Sequence, residues 1–418
     1  MNKHSQECVL EPGNLRAGVA KVDITPADLT NLNPMGGRSF TDVHDPLFLR
    51  VLVLDDGMRE VALVSADLIE AGDMTPVRER IERELGIPFD HIVITATHSH
   101  NAPRIGLVSP GALAHEGGPE SAAYTAEVYD KLFAALKQAR ESSRPARFGL
   151  GTGTADVNVN RDEYVDGKWV LGFNPDGPSD KTVWVLKFET RSGEPIAVVV
   201  NYAVHSTVTL GTGEVSGDLA GAATRHIERE LGGDAVALWT LGPVGDQAPR
   251  IALDKAFGAP EEEWPAAYEA MEAQGLVVGA EAVRVAGRIR HLTSHARIGA
   301  QERVLACPMK EGVDVMADMR QEKVASVDLR LALLTINEVA LAGVSGEVVT
   351  DIYRRLRKES PLANTILMSL ANDRIGYLTD DAAYDRRTFE VNGCPVQRGY
   401  AENGIVDGVV DMIRARAR

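Results

Sequence analysis

The chain is poor in cysteine, in aromatic residues and in positive charge, and it has no long apolar run. Three cysteines in 418 residues, Cys8, Cys307 and Cys394, are too few and too scattered for a disulfide scaffold or a cysteine-rich metal site. A metal site here would draw on His, Asp, Glu or Tyr. No apolar stretch approaches the roughly 20 residues of a membrane-spanning helix, and aromatic residues make up only 5%. Acidic residues outnumber basic ones 60 to 44, for a formal net charge of −16. That balance disfavours nonspecific attraction to nucleic acid or to an anionic membrane surface. The opening "MNKHSQECVLEPGNLRAG" lacks the apolar core of a secretory signal, so a cytoplasmic location is expected.

What remains is an ordinary globular composition, 44% hydrophobic and 25% charged. Strand-like and helical runs alternate along it. "LFLRVLVLDD" and "EVALVSADLI" read as paired strands across a turn at Gly57. Residues 75–85 read as a helix with Thr75 as N-cap, Pro76 first inside and Gly86 at the end. "HIVITAT" follows as a strand. Further hairpins are expected at "KTVWVLKF"/"PIAVVVNYAVH" and within "SVDLRLALLTINEVALAGVSGE", a buried strand at 235–241, and helices at 121–140, 219–231, 347–358 and 404–417. Residues 261–291 read as a helical cap or insertion. The pattern predicts one α/β domain over 14–418, with mixed sheets flanked by helices.

Chemically capable side chains gather just after the apolar strands, as they do in sites built on loops above a rigid sheet. His98 and His100, in "HIVITATHSHNAPR", would share one face of an extended strand about 7 Å apart. His205 ends "IAVVVNYAV", Glu347 follows "VALAGVSG", and Tyr377 lies in "ANDRIGYLTDD". Each has a plain alternative: a lone histidine usually satisfies local hydrogen bonds, Glu347 would favour a helix N-terminus, and Tyr377 would pack.

Seven segments occur together and in order: "AGVAKVDITP", "THSHNAP", "VNVNR", "NYAVHSTV", "GDQAPR", "GVSGE" and "LANDRIGYLTDDAAYD". This series resembles the neutral ceramidase family of zinc amidases over roughly residues 15–400. The resemblance implies one zinc ion per chain, held by His98, His205, Glu347 and Tyr377. It places His100 beside the metal as a proton donor or carbonyl ligand, Arg161 on the substrate, and Asp246 near the ligands or the water. Two departures stand out. Phe389 occupies the place of a second site tyrosine, twelve residues after Tyr377, and Ala248 replaces a loop serine argued to be catalytic. Alanine has no nucleophile, so the reading is hydrolysis by metal-activated water.

Arg104 lies in "HNAPRIG", where the family has a loop of the Ser-Gly-Pro-Gly type, and with Arg161 it could grip a substrate carboxylate. No immunoglobulin-like domain is expected after the catalytic part. These features predict a hydrolase acting on a small soluble amide, lactone or ester. A true ceramidase, a barrel amidohydrolase in which His98 and His100 both bind metal, and a non-catalytic metal scaffold or sensor are the other readings.

Overall fold

The computed structural model describes residues 13–34, 39–105, 118–252, 260–310 and 324–416; Cys8 lies outside them. Among these residues the largest sheet has eight strands, in the spatial order 236–241, 195–202, 182–190, 144–154, 16–23, 48–55, 60–66 and 92–96. Six of its seven neighbour pairs were set by hairpins or helical crossovers legible in the sequence or by direct antiparallel pairing with the segment 16–23. The two outermost pairs, 195–202 with 236–241 and 60–66 with 92–96, are parallel. Each needs a crossover, supplied by the helices Asp218–Leu231 and Thr75–Leu85. A second sheet runs 298–308, 326–336, 339–344 and 364–368, again with a parallel last pair, reached through the helix Thr350–Glu359.

Alternation along each strand decides what it faces. Leu52, Leu63 and Val93 point one way and meet Leu334, Leu341 and Met368 of the second sheet. Val51, Val64 and Ile94 point the other way, onto the helices Thr75–Leu85 and Pro119–Glu141. The helices Asp218–Leu231 and Trp264–Arg288 cover the rest of that outer face, and Thr350–Glu359 with Ala401–Ala415 covers the second sheet. The result is four layers: helices, eight strands, four strands, helices. A mixed α/β fold was expected, and the hairpins fall where the sequence put them.

Two local expectations need correction. The helix spans 75–85 as expected, but its N-cap is Met74, with no side-chain cap of its own. Asp73 accepts the hydrogen bond from the Thr75 amide instead, at 2.9 Å. Glu347 does not start a helix; it sits in the two-residue strand Glu347–Val348, paired with Tyr377–Leu378, and the helix starts at Thr350. Within 261–291 the helix Trp264–Arg288 packs against Asp218–Leu231, burying Met271, Val278 and Ala282 in the outer core.

That helix pair approaches closely because of small residues. A β-carbon on Gly275 would lie 2.5 Å from that of Ala222, whereas one on Gly287 would meet nothing within 4 Å. Gly275→Val should therefore cost about 2 kcal/mol through overpacking, while Gly287→Ala should add about 0.5 kcal/mol through helix propensity. Urea unfolding midpoints of the two variants measure this, and similar shifts for both would contradict the packing described.

Candidate metal and active site

The strands Ile92–Ala96, Pro195–Tyr202, Val236–Leu241, Val339–Val344 and Asn364–Met368 all release their chains toward one place. Open α/β sheets carry their chemistry at such carboxyl ends. An isolated parallel bridge, Ser99 with Ser206, lays the two histidine-bearing loops side by side, and the His100 amide donates to Ser206 O at 3.2 Å. Asn372 joins the third loop to them: its side chain accepts from the Ile94 amide at 2.8 Å and donates to Ile92 O at 3.1 Å. Glu347 and Tyr377 are direct partners in their parallel ladder, so their side chains leave on the same face.

His98 and His100 converge, although not as a strand pair. The strand stops at Ala96, and His98 takes a left-handed backbone with φ 61°, a conformation that costs about 1 kcal/mol or more outside glycine and concentrates at functional sites. The turn brings His98 Nε2 and His100 Nε2 to 3.2 Å. His98, His100 and His205 form a cluster whose ligand atoms all lie within 4.8 Å of one another.

Backbone carbonyls fix which nitrogens face inward. His98 Nδ1–H donates to Ile69 O at 2.6 Å and His205 Nδ1–H to Gln247 O at 2.8 Å, which leaves each Nε2 with a bare lone pair. Arginine can only donate, so Arg161 Nη1 at 3.3 Å from His205 Nε2 agrees with that tautomer. Glu347 Oε2 stands 3.1 Å from His205 Nε2 and 3.4 Å from His98 Nε2. The three side chains thus converge on one space, and the spacings suit ligands at about 2.0–2.1 Å around a tetrahedral ion, for which the edge is about 3.4 Å. The Nδ1 of His100 is buried and unpartnered. The donor set fits a divalent metal ion.

Burial, with Arg161 and His98 nearby, lowers His205 to about 4, and burial with His98 and His205 takes His100 well below its ordinary value. Burial opposes the charge on Glu347, yet His98 and His205 outweigh it and hold the carboxyl well below the usual range. Burial and the Glu347 charge raise the Tyr377 phenol.

The remaining expected residues are placed as follows. Arg161 lies 5.4 Å from the Tyr377 ring and 5.6 Å from Phe389, whose rings meet edge to face at 5.9 Å. Its guanidinium donates to Glu390 at 2.8 Å and to Gly245 O at 2.6 Å. Arg104 pairs with Glu70 at 2.7 Å. Asp246 is held by four donors: Thr350 N, Thr350 Oγ1, Gln247 Nε2 and Asn160 Nδ2, at 2.7–3.1 Å. It ties the Gln247 carbonyl, and so His205, to the start of the helix after Glu347. Ala248 pairs through its backbone with Val159. Glu70, Arg374, Glu390 and Asn372 were missed by sequence reasoning. Glu70 carried the same signal as the histidines, a polar residue just past an apolar strand, and Asn372 and Arg374 lie inside the "LANDRIGY" motif.

Residues 15–263 match the family described as neutral/alkaline non-lysosomal ceramidase, N-terminal. The chain belongs to this family. Among solved structures, the neutral ceramidase from Pseudomonas aeruginosa superposes with a TM-score of 0.79 at 18% identity, covering 98% of this chain and 75% of that one. A ceramidase complexed with C2 gives 0.76 at 16%, covering 98% and 76%. At these identities the likeness establishes the fold. Family membership suggests amidohydrolase chemistry, and the buried histidine cluster can bind a metal ion.

The buried neutral histidines make metal-free stability pH-dependent. His205 releases its proton more readily folded than unfolded, so its contribution is complete above about pH 6.5 and is lost as pH falls toward about 4. The loss is about 3 kcal/mol for this side chain, with His100 acting in the same direction. Chelator-treated protein should unfold at progressively lower urea between these pH values, and His205→Asn should flatten the dependence. An equally steep dependence in the variant would contradict this assignment.

Proposed function

We propose that the chain is a zinc-dependent amidohydrolase acting on a small soluble amide. The observation that carries the reading is the meeting of two carbonyl-fixed imidazoles and the Glu347 carboxylate around a space that a metal ion could fill. His98, His205 and Glu347 would hold the ion, with Tyr377 as fourth ligand beside Arg161. Zinc bound there supplies Lewis-acid polarisation of a carbonyl and lowers the pKa of water.

The chain's own groups account for the rest of the hydrolysis. Water adds to the amide carbon, the C–N bond breaks, and a proton must pass from the water to the departing nitrogen. His100 is neutral at pH 7 and has a free Nδ1, so it takes that proton and returns it to the amine. Arg161 adds fixed positive charge beside Tyr377, where the carbonyl oxygen becomes negative. Asp246 positions His205 and the Glu347 segment through backbone contacts. No serine is required of the loop at Ala248.

Three features support a substrate other than membrane ceramide. Phe389 lacks the hydroxyl of the family tyrosine, Ala248 lacks that of the serine, and Arg104 introduces a cation near the histidines. Among the described residues no helix is long and apolar enough to cross a membrane. Lactone or ester hydrolysis would use the same groups.

The test joins metal analysis to a panel of soluble amides, N-acyl amino acids, lactones and short-chain ceramides. A chelator should abolish turnover and zinc restore it. His98→Ala and His205→Ala should lose the metal, whereas His100→Ala should keep it and lose 10²–10⁴-fold in kcat. Bound zinc without turnover of any class would instead indicate a metal scaffold, and preferred turnover of ceramide would overturn the soluble-substrate reading.

A further inference from the structure

Glu70 is 2% exposed and follows directly on Ile69, whose carbonyl fixes His98. Two guanidinium groups converge on its carboxylate. Arg104 Nε lies 2.7 Å from Oε1, and Arg374 reaches Oε2 through Nε at 2.5 Å and Oε1 through Nη1 at 2.7 Å. Among the described residues no other carboxylate forms an ion pair with either arginine. The side chains are 13% and 10% exposed, so water reaches them at one edge only.

The same two-to-one count occurs at Glu189, with Arg147 and Lys187, but those cations are 34% and 18% exposed. Arg50, buried more deeply, faces two acids, Asp67 and Glu228. Arg330 shares Glu302 with Arg78 but has Asp373 as well. Among the described residues the Glu70 cluster has two cations and one anion, a nearly desolvated excess of one positive charge, which is costly unless an anion completes it. Glu70 raises the Arg104 pKa, but burial and the neighbouring Arg374 outweigh it and leave the net shift downward. The arms also come from the right places. Arg104 lies four residues after His100 and Arg374 three before Tyr377, so the two sit on the loops that carry the chemistry.

We propose that Arg104 and Arg374 bind a carboxylate on the substrate, which makes the preferred substrate an anionic amide. This rests on the amidohydrolase reading and narrows it. Planar guanidinium forks suit a carboxylate's two oxygens. The carboxylate may be contributed from either side of the scissile bond: an N-acyl amino acid carries it on the amine, a dicarboxylic acid monoamide on the acyl part.

The experiment uses the zinc-loaded enzyme and matched substrates: an N-acyl amino acid, a dicarboxylic monoamide, and a neutral analogue of each in which the carboxylate is a carboxamide. At least one anionic member should exceed its neutral partner in kcat/KM by about 10–100-fold, chiefly through KM, and which one does so identifies the side that carries the charge. Arg104→Gln and Arg374→Gln should each lower that selectivity ratio by about 10-fold or more, with Arg104→Lys intermediate. Zinc content should stay at one per chain. Arg104→Gln leaves a one-to-one Arg374–Glu70 pair, so its unfolding midpoint should not fall; a structural clamp would show a clear drop.

Equal turnover of anionic and neutral partners, unaltered by either substitution, would overturn the inference while leaving the hydrolase intact. A failure of the hydrolase reading looks different: no amide is turned over, yet calorimetry with the N-acyl amino acid or the monoamide still registers binding that the arginine variants lose. Absence of both turnover and binding would sink the two together.

Discussion

Two backbone carbonyls, those of Ile69 and Gln247, decide what the centre of this molecule can do. By accepting the Nδ1 protons of His98 and His205 they turn both Nε2 lone pairs onto Glu347. Without that constraint an imidazole could rotate or change tautomer and satisfy the carboxylate with a proton. With it, both ring nitrogens face the carboxylate across a space that a metal ion could fill. The placement of each carbonyl depends on the fold. Ile69 extends a strand paired with 92–96, and the His98 amide itself donates to Leu68 O. Gln247 O also accepts from the His205 amide, and the adjacent Asp246 is anchored by four donors.

The layered architecture explains why residues from such distant parts of the sequence meet. Two sheets packed face to face each end in a parallel pair, and parallel pairs align carboxyl ends. Their outgoing loops are then bound together by polar contacts rather than by apolar packing. Asn372 bonds to the strand 92–96, and Ser369 joins the second sheet to the first through Leu241 O and Gly242 O. These bonds are buried, so losing one would leave donors and acceptors without water to replace it. Rigidity of this kind suits a site whose ligands must hold their spacing within a few tenths of an ångström.

Much of the scaffold was legible because apolar runs with period two, separated by turns, leave few alternatives; the strands 48–55 and 60–66 are an example. His98, His205, Glu347 and Tyr377 were legible as polar residues placed just after such runs, and the family resemblance linked them. The local geometry was not legible. A left-handed backbone at His98 has no marker in the sequence, since glycine is absent there, and an extended reading separated two rings that in fact touch. Glu347 looked like a helix start because the strand it belongs to is two residues long and exists only through its pairing with Tyr377. The helix 264–288 was legible from its pattern, but its partner was not: Gly275 and Gly279 let it approach Ala222 and Ala223, a contact that only the folded chain defines.

Charge balance was the least legible property, since it depends on which ionised groups become neighbours after folding. Arg104 and Arg161 were expected to act together, yet their surroundings separate them. Arg161 donates to Glu390, and beside it burial and the Glu390 charge push the Asp162 carboxyl well above the usual range. Arg161 is thus engaged by a carboxylate and a backbone carbonyl beside the Tyr377 ring. Arg104 met a different neighbour, Arg374, across a single carboxylate. The same residue type thus meets different surroundings: Arg161 has Glu390 and the Gly245 carbonyl to itself, whereas Arg104 shares its one carboxylate with Arg374.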